Sequence, residues 1–338
     1  MPEIDAPITP LLSDRSGRSF KHMIWQWIAP FIGLAVVLVF FHSKRPDAFL
    51  AVSNLKIVAT QTVIIGICAI GMTFIMIGGG IDLSVGSVMA LSSVALALAL
   101  SADSSPIVAV VLAIFIGGLC GLVNALMVTG LRIIPFVATL GMLSIARGTA
   151  RALADNMIVR LDLDQRPEAL IDFMIPIRSK AWWDFAPSVW IMFTVAIVAG
   201  VVLNYTAFGR RTYALGSNEL ASRLSGIAIN RQKLMLYTIG GMLTGLAGVF
   251  LFAYTTEGDP TAAVGMELQV IAAVVIGGGS LMGGEGSVLG TLIGAFMLTF
   301  LVNGCTQAGY ANWVQEIIIG VIIVLAVSLD YFRRKIPA

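Results

Sequence analysis

The segment Gly78-Gly79-Gly80-Ile81-Asp82-Leu83-Ser84-Val85-Gly86-Ser87-Val88 interrupts two apolar runs and decides the fold of this chain. Neither the preceding run, Ile57–Ile77, nor the following run, Val88–Leu100, contains Asp, Glu, Lys or Arg. Glycine allows close backbone approaches, whereas a carboxylate at mid-depth in a bilayer costs at least ~2.5 kcal/mol. Irregular backbone survives at membrane depth only where protein buries it or water lines it. The interruption is therefore a candidate part of a translocation pathway.

The composition is that of an integral membrane protein. Of the 338 residues, 58% are hydrophobic and 12% are charged, whereas soluble domains carry roughly 25% charged residues. A net charge of +2 does not favour nucleic acid as a partner. The three cysteines are isolated in apolar stretches, which indicates small buried residues, not a disulfide framework or a metal site.

Apolar runs long enough for membrane helices recur along the chain, and a span needs about 20 such residues. The eighth run is short before Gly277, which predicts a broken or half helix, or a helix that starts earlier, near Ala262. The sequence predicts an all-α, polytopic protein of about ten spans with glycine-broken segments. The spans lie near Ile24–Phe41, Ile57–Ile77, Val85–Leu100, Pro106–Val128, Ile134–Ala152, Ser188–Leu203, Met235–Ala253, Glu267–Val275, Val288–Asn303 and Trp313–Leu329.

Charge placement orients the chain. With both termini in the cytoplasm, the inside segments hold about 12 of the 21 Lys and Arg residues, in agreement with the positive-inside rule. We therefore expect both termini in the cytoplasm and the long loop Asn156–Pro187 outside. The predicted organisation is a cytoplasmic tail 1–23, a transmembrane domain 24–329 with a cytoplasmic loop 206–233, and a cytoplasmic tail 330–338.

A weak internal repeat accompanies the glycines. Gly78–Gly80 leads to Gly86-Ser87-Val88, and Gly277–Gly279 leads to Gly286-Ser287-Val288. The copies are six predicted spans apart, so both face the same side of the membrane. Chance convergence of glycine-rich breaks is the alternative.

Sequence signatures of enzymes are missing. The glycine-rich stretch 277–286 has no G-x-x-x-x-G-K-[ST] pattern and no following lysine, so it does not predict ATP hydrolysis. Neither HExxH, GxSxG nor a paired-carboxylate arrangement occurs. We expect a transport protein without catalytic residues, cofactor or metal.

The loop 206–233 predicts a short amphipathic helix outside the bilayer. Ser217 or Asn218 suits its N-cap, and Gly226 suits its end. Such a helix either lies on the membrane interface or docks a cytoplasmic partner. Its candidate coupling residues are Glu219, Ala221, Arg223, Leu224, Gly226 and Ile227, with Ala221, Leu224 and Ile227 on one face.

Several motifs resemble the ribose-type permease family of sugar importers driven by ATP-binding-cassette (ABC) ATPases. They occur in matching order from about Ile57 to the C-terminus, and together they are specific. The loop pattern Glu219-x-Ala221-x-x-x-x-Gly226 also resembles the family's ATPase-docking loop, although Leu220 stands where the family often has Glu or Ala. The motifs are Gly79-Gly80-Ile81-Asp82-Leu83-Ser84-Val85-Gly86, Ile134-Pro135-Phe136-Val137-Ala138-Thr139-Leu140-Gly141, Ser144-Ile145-Ala146-Arg147-Gly148 and Gly277-Gly278-Gly279-Ser280-Leu281-Met282-Gly283-Gly284-Glu285-Gly286-Ser287.

The resemblance implies a pair of permease subunits, two cytoplasmic ATPase subunits and a periplasmic sugar-binding protein. Asp82 either caps the following helix or bonds a translocating hydroxyl, and Arg147 is deep enough for a bonding role within the bundle. The candidate pathway residues are Gly79, Gly80, Asp82, Ser84, Arg147, Gly278, Gly279 and Ser280.

Rival functions remain open at this point. An ion-coupled secondary transporter needs intramembrane ionisable relays, for which Asp82 is the one clear candidate in an apolar stretch. A passive channel does not explain the docking-type loop. Within the ABC class, permeases for autoinducer-type furanoses or nucleosides are rivals, since the sequence does not name the solute.

Overall fold

The computed structural model describes residues 15–162, 167–172 and 184–335. This part of the chain contains thirteen helices and two short strands. The helices are α1 (Arg15–Lys44), α2 (Val52–Ile77), α3 (Val85–Ser101), α4 (Pro106–Thr129), α5 (Pro135–Leu153), α6 (Glu168–Asp172), α7 (Pro187–Tyr205), α8 (Ala207–Ser217), α9 (Glu219–Leu224), α10 (Ile229–Thr255), α11 (Met266–Ile276), α12 (Val288–Gln307) and α13 (Asn312–Lys335). Strands β1 (Val159–Arg160) and β2 (Glu257–Gly258) pair antiparallel.

Each predicted apolar run falls within a helix, which confirms an all-α, multi-pass membrane protein. Five helices are long and apolar enough to cross a bilayer on their own: α2, α4, α7, α10 and α12. At 11 residues α11 is a half helix that begins at Met266 and not near Ala262. Helix α1 extends back to Arg15 and α13 forward to Lys335, because a helix continues into water beyond its apolar part. Residues 1–14 and 336–338 of the predicted tails lie outside the described residues.

Glycines allow a close helix contact between α4 and α10. A Cβ atom on Gly117 would lie 2.3 Å from the carbonyl oxygen of Gly241, and one on Gly121 would lie 2.1 Å from that of Tyr237. Small residues at such spacing let membrane helices approach backbone to backbone. Helix α3 is consequently enclosed by α4, α5 and α10, and most of its residues are buried.

Both glycine-broken segments begin with the same helix ending. In the first glycine break (Gly78–Ser84), Gly79 has φ +80° and the Gly80 N–H donates to the Ile75 carbonyl at 2.9 Å. In the second glycine break (Gly277–Ser287), Gly278 has φ +88° and the Gly279 N–H donates to the Val274 carbonyl at 2.8 Å. This left-handed C′ residue followed by a bond across the last turn is a Schellman motif, which glycine favours.

The two breaks meet at one end of the bundle. The Gly284 N–H of the second break donates to the carbonyl of Ile77, the last residue of α2, at 2.9 Å. The repeat in the sequence therefore corresponds to two segments in contact on one side, as its spacing predicted.

The loop 206–233 contains two helices where the sequence predicted one. Asn218 caps α9 as expected, accepting from the Ala221 N–H at 2.9 Å. The helix ends at Leu224, so Ile227 lies beyond it and the predicted common face with Ala221 is wrong. Ser222 is the buried residue of α9, whereas Leu224 is 82% exposed. Helix α8 was missed because its mixed polar sequence carries little apolar signal.

Candidate translocation site

A buried polar cluster anchors the first glycine break inside the bundle. One carboxylate oxygen of Asp82 accepts from the Ser84 N–H at 2.8 Å and from the Ser84 hydroxyl at 2.5 Å. From α4, the Asn124 amide donates to Ser84 Oγ at 3.1 Å and to the other Asp82 oxygen at 3.4 Å. The three side chains are 3% exposed or less. Asp82 thus orders the turn that leads into α3 and ties it to α4.

Two further helices hold the same break through its backbone. The Ile81 carbonyl accepts from the Tyr237 hydroxyl of α10 at 3.5 Å, and it lies 3.4 Å from the Thr139 hydroxyl of α5, whose nearest acceptor is the Pro135 carbonyl at 3.1 Å. A Cβ atom on Gly80 would lie 2.5 Å from the Tyr237 hydroxyl, so the break passes Tyr237 too closely for a side chain. The break is consequently wedged between α4, α5 and α10.

Sequence reasoning missed Asn124, Thr139 and Tyr237, the residues that receive the first break. A lone amide in the apolar run Pro106–Val128 was the available signal, because a buried polar side chain in a membrane helix needs a partner. Thr139 lies within a motif that had been noted for its resemblance, without a role.

The second break lies beside α8 at the end of the bundle. Ser280 is buried, and its hydroxyl accepts from the Met282 N–H at 3.2 Å. The Tyr213 hydroxyl of α8 donates to the Gly286 carbonyl at 2.8 Å. Gly278 and residues 285–287 line a cleft of about 200 Å³ that also borders Pro30 and Phe31.

Arg147 lies apart from both breaks. Its Nη1 atom donates to the carbonyls of Pro260 and Ala262, at 2.8 and 2.7 Å, in the connection between α10 and α11. The eight predicted pathway residues therefore form three groups: the Asp82–Ser84 turn with Gly79 and Gly80, the Gly278–Ser280 turn, and Arg147.

The predicted coupling residues surround the small helix α9. Glu219 accepts from Lys233 at 2.8 Å and from Arg223, one turn along, at 3.4 Å. Leu220 and Leu224 are 69% and 82% exposed, and Gly226 has φ +81° just after the helix. Glu219, Arg223 and Ile227 line a cleft of about 880 Å³ whose opposite wall includes Ile134 and Pro135 at the start of α5.

A family model covers most of the chain, including both glycine breaks and α9. Residues 54–327 match the family model described as a branched-chain amino acid transport system, permease component. This chain belongs to that permease family.

The ribose import permease RbsC of Escherichia coli K12 is 37% identical over 317 residues, which cover 93% of this chain and 97% of the relative. The fructose import permease FrcC of Rhizobium meliloti is 31% identical over 310 residues, 91% of this chain and 86% of the relative. The autoinducer 2 import permease LsrC of Klebsiella pneumoniae is 32% identical over 308 residues, 91% of this chain and 87% of the relative. No solved structure matches the chain.

Proposed function

We propose that this chain is the membrane-spanning permease subunit of an ABC importer for a monosaccharide. It pairs with a second permease subunit, identical or related, and together they enclose the translocation pathway. A cytoplasmic ATPase docks on α9, and a periplasmic binding protein delivers the sugar from the other side. The basic loop 206–233 and the basic tail 333–335 favour an orientation in the inner membrane with both termini in the cytoplasm.

The contact of α8 with the second glycine break and with the last residue of α2 carries this proposal. A Cβ atom on Gly216 of α8 would lie 1.8 Å from the Ile77 carbonyl oxygen and 2.5 Å from the Gly284 nitrogen. Tyr213 bonds the second break through the Gly286 carbonyl. The same α8 leads through Asn218 directly into α9, whose leucines are exposed. A force applied to α9 therefore reaches, through α8, the second break and the end of α2 from which the first break begins.

The mechanism follows from this linkage. ATP binding and hydrolysis in the partner ATPase move α9, α8 shifts against the second break and the end of α2, and the bundle alternates between outward and inward openings. The left-handed glycines leave backbone groups near the breaks that can bond sugar hydroxyls. Hydrolysis takes place in the partner, since the chain has no phosphate-binding loop.

A monosaccharide is the substrate class that the relatives favour. The ribose permease relatives are 37% identical, against 31% for the fructose permease. A pentose is therefore the first solute to test. The autoinducer 2 permease at 32% identity keeps a furanose as the second candidate. The chain belongs to a permease family, and similar relatives are sugar import permeases. These relatives do not favour the alternative of an ion-coupled secondary transporter.

Substitution of Leu224 by Glu tests docking on α9. The side chain is 82% exposed, so the folded chain tolerates the change, whereas a carboxylate in an apolar docking contact is desolvated and weakens it by several kcal/mol. We expect the variant to insert normally but to lose co-purification with its ATPase and ATP-dependent uptake. Leu131→Glu is the control, because Leu131 is 70% exposed in the turn before α5 and outside α9. Normal ATPase binding by Leu224→Glu removes the docking assignment.

Energy coupling and substrate are tested in liposomes. The chain, its ATPase and its binding protein are reconstituted, and uptake of radiolabelled ribose is compared with uptake of fructose and autoinducer 2. We expect uptake only with ATP and all three components. Accumulation driven by a proton gradient in liposomes that contain this chain alone contradicts the proposal and restores the ion-coupled transporter.

A further inference from the structure

The connection Thr256–Gly265, hereafter the outer segment, is an ordered but irregular stretch between α10 and α11. It begins with Thr256 at φ +60° and ends with Gly265 at φ +83°. Asp259 shapes its turn, since one carboxylate oxygen accepts from both the N–H and the hydroxyl of Thr261 at 2.7 Å. Strand β2 ties its first residues to β1. The segment therefore has a defined path despite the lack of a helix.

That path follows α3 toward the first glycine break. Near the start of the segment, a Cβ atom on Gly258 would lie 2.7 Å from the Ala97 side chain. Five residues later, a Cβ atom on Gly86 would lie 2.4 Å from the Ala263 carbonyl oxygen. Ala97 and Gly86 are separated by about 16 Å along a helix that rises 1.5 Å per residue. The outer segment consequently enters the bundle as far as the first turn of α3, where α11 begins as a half helix.

Arg147 holds the middle of the outer segment. Its single Nη1 atom donates to the Pro260 and Ala262 carbonyls. Among the described residues no backbone N–H donates to either carbonyl. The guanidinium is thus the hydrogen-bond partner of both groups. Charged donors make stronger bonds than neutral ones, so loss of Arg147 leaves two carbonyls without a bond at half-buried positions.

Arg147 also links distant parts of the molecule. It lies on α5, which packs mainly on α3 and α4. The helix has 19 residues and is about 28 Å long. Its N-terminal residue Pro135 borders the same cleft as Glu219 and Arg223 of α9. One rigid helix therefore reaches from the proposed ATPase-docking region to the two Arg147 hydrogen bonds with the outer segment.

We propose that Arg147 is a positioning residue that latches the outer segment onto α3, and that α5 releases this latch when α9 moves. The inference rests on the proposed function for the source of that movement. Both bonds fail when the guanidinium shifts by about 1 Å, because hydrogen bonds weaken steeply beyond 3.5 Å. Release lets the outer segment leave α3 and opens the bundle from the side opposite the ATPase.

Cysteine accessibility tests the latch. Ala262, whose carbonyl accepts from Arg147, is half-buried and is replaced by Cys. Labelling of this cysteine by a membrane-impermeant maleimide is then measured in intact cells without added sugar. The parent chain gives the background, since its own cysteines are buried or half-buried. Ala102→Cys, at the exposed turn after α3, is the positive control for access from outside.

Three changes are then combined with Ala262→Cys. Arg147→Met keeps bulk but donates no hydrogen bond, and we expect about tenfold faster labelling. Arg147→Lys should restore most of the protection, because one ammonium nitrogen can donate to both carbonyls. Arg151→Met is the matched control, since Arg151 lies one turn further along α5, is exposed, and has no bond to the outer segment; it should leave labelling unchanged. If Arg147→Met does not insert, Arg147→Leu, which also donates no hydrogen bond, replaces it.

Transport supplies the second readout. In the reconstituted importer, Arg147→Met should lower uptake about tenfold while ATP hydrolysis continues, as expected when the outer side no longer closes. The latch is overturned if Arg147→Met is labelled no faster than the chain with Arg147, or if Arg151→Met speeds labelling as much as Arg147→Met does. Unchanged uptake by the Arg147→Met importer overturns it as well. Failure of the unmodified importer to move any sugar contradicts the proposed function instead, because the labelling comparison does not depend on transport.

Discussion

The two glycine breaks end their preceding helices with the same motif, but the segments that follow take different paths. Each has a left-handed second glycine and a third glycine whose N–H bonds back across the last turn. The first break then enters the bundle, where Asp82 and Ser84 are buried with Asn124. The second stays at the end of the bundle, where Met282 is 73% exposed. Local sequence determines how a helix ends, whereas the surrounding helices determine where the chain goes next.

This difference assigns the breaks different tasks. The first break contacts α4, α5 and α10 and lies close to the tip of the outer segment, so it belongs to the closed centre of the bundle. The second break receives α8 and therefore lies at the end of the bundle where we propose that the ATPase docks. Of the two copies of the sequence repeat, the first break thus lies at the centre of the bundle and the second at its end.

Substitution at the third glycine of each break should separate these tasks, with the largest effect in the first. Gly80→Ala places a Cβ atom 2.5 Å from the Tyr237 hydroxyl, so α10 must move. Gly279→Ala meets Val274 of its own preceding turn, also at 2.5 Å, and the loop can shift without displacing another helix. We expect Gly80→Ala to lower stability by about 1–3 kcal/mol and to abolish transport, and Gly279→Ala to do less.

Thermal unfolding and uptake of the purified complex measure both effects. The second-site change Tyr237→Phe removes the atom closest to the new methyl group, and the nearest remaining ring carbon is at 3.1 Å. It should therefore rescue Gly80→Ala but not Gly279→Ala. Equal damage from both single changes, with no rescue, means that the breaks do not differ in packing.

The sequence predicted what is local in these breaks and not what is distant. Apolar runs placed the helices, and three consecutive glycines indicated each helix ending. The partners of Asp82 could not be read in advance, since Asn124 is 42 residues away. The bonds of Arg147 join residues 113 and 115 positions apart. Such contacts depend on how helices pack, and in a membrane many apolar faces are equivalent.

In the loop 206–233, too, the sequence predicted the local features and not the contacts with distant residues. Asn218 was identifiable as an N-cap because its acceptor and the Ala221 N–H are three residues apart. The inward direction of Ser222 and the position of Gly216 against Ile77 depend on how α8 packs on the bundle, which the local sequence does not specify. Ile227 therefore lies beyond the helix that was expected to contain it, and the coupling role of the predicted set stays a prediction.

Removal of the central carboxylate should have an intermediate effect. Asp82→Ala leaves the Ser84 N–H without its acceptor in a buried site, at about 1–3 kcal/mol, whereas the Asn124 amide keeps the Ser84 hydroxyl oxygen as an acceptor. Asp82→Asn should be milder, because its oxygen still accepts from Ser84. Asn124 can then turn its amide so that its own oxygen, which has no partner among the described residues, faces the new amide nitrogen.

The matched change in the second break is Ser280→Ala. It removes one acceptor, for the Met282 N–H, in an irregular turn, and we expect about 1 kcal/mol. The order of melting temperatures should be unchanged chain, Asp82→Asn, Ser280→Ala and Asp82→Ala. An Asp82→Ala chain as stable as the Asp82→Asn chain, but inactive, moves Asp82 from an anchoring role to direct contact with the solute.

The smallest expected effect concerns the serine before each following helix. Ser287 caps α12, since its hydroxyl accepts from the Gly290 N–H at 3.0 Å. Ser84 precedes α3 without a capping bond, and its hydroxyl instead joins Asp82 and Asn124. Glycine replaces a capping serine at a loss of only a few tenths of a kcal/mol. Ser287→Gly should therefore melt almost with the unchanged chain, whereas Ser84→Gly loses two buried hydrogen bonds and should lie several degrees lower. If the two variants have the same melting temperature, the polar cluster of Asp82, Ser84 and Asn124 contributes no more stability than an ordinary helix N-cap. The first break is then as peripheral as the second.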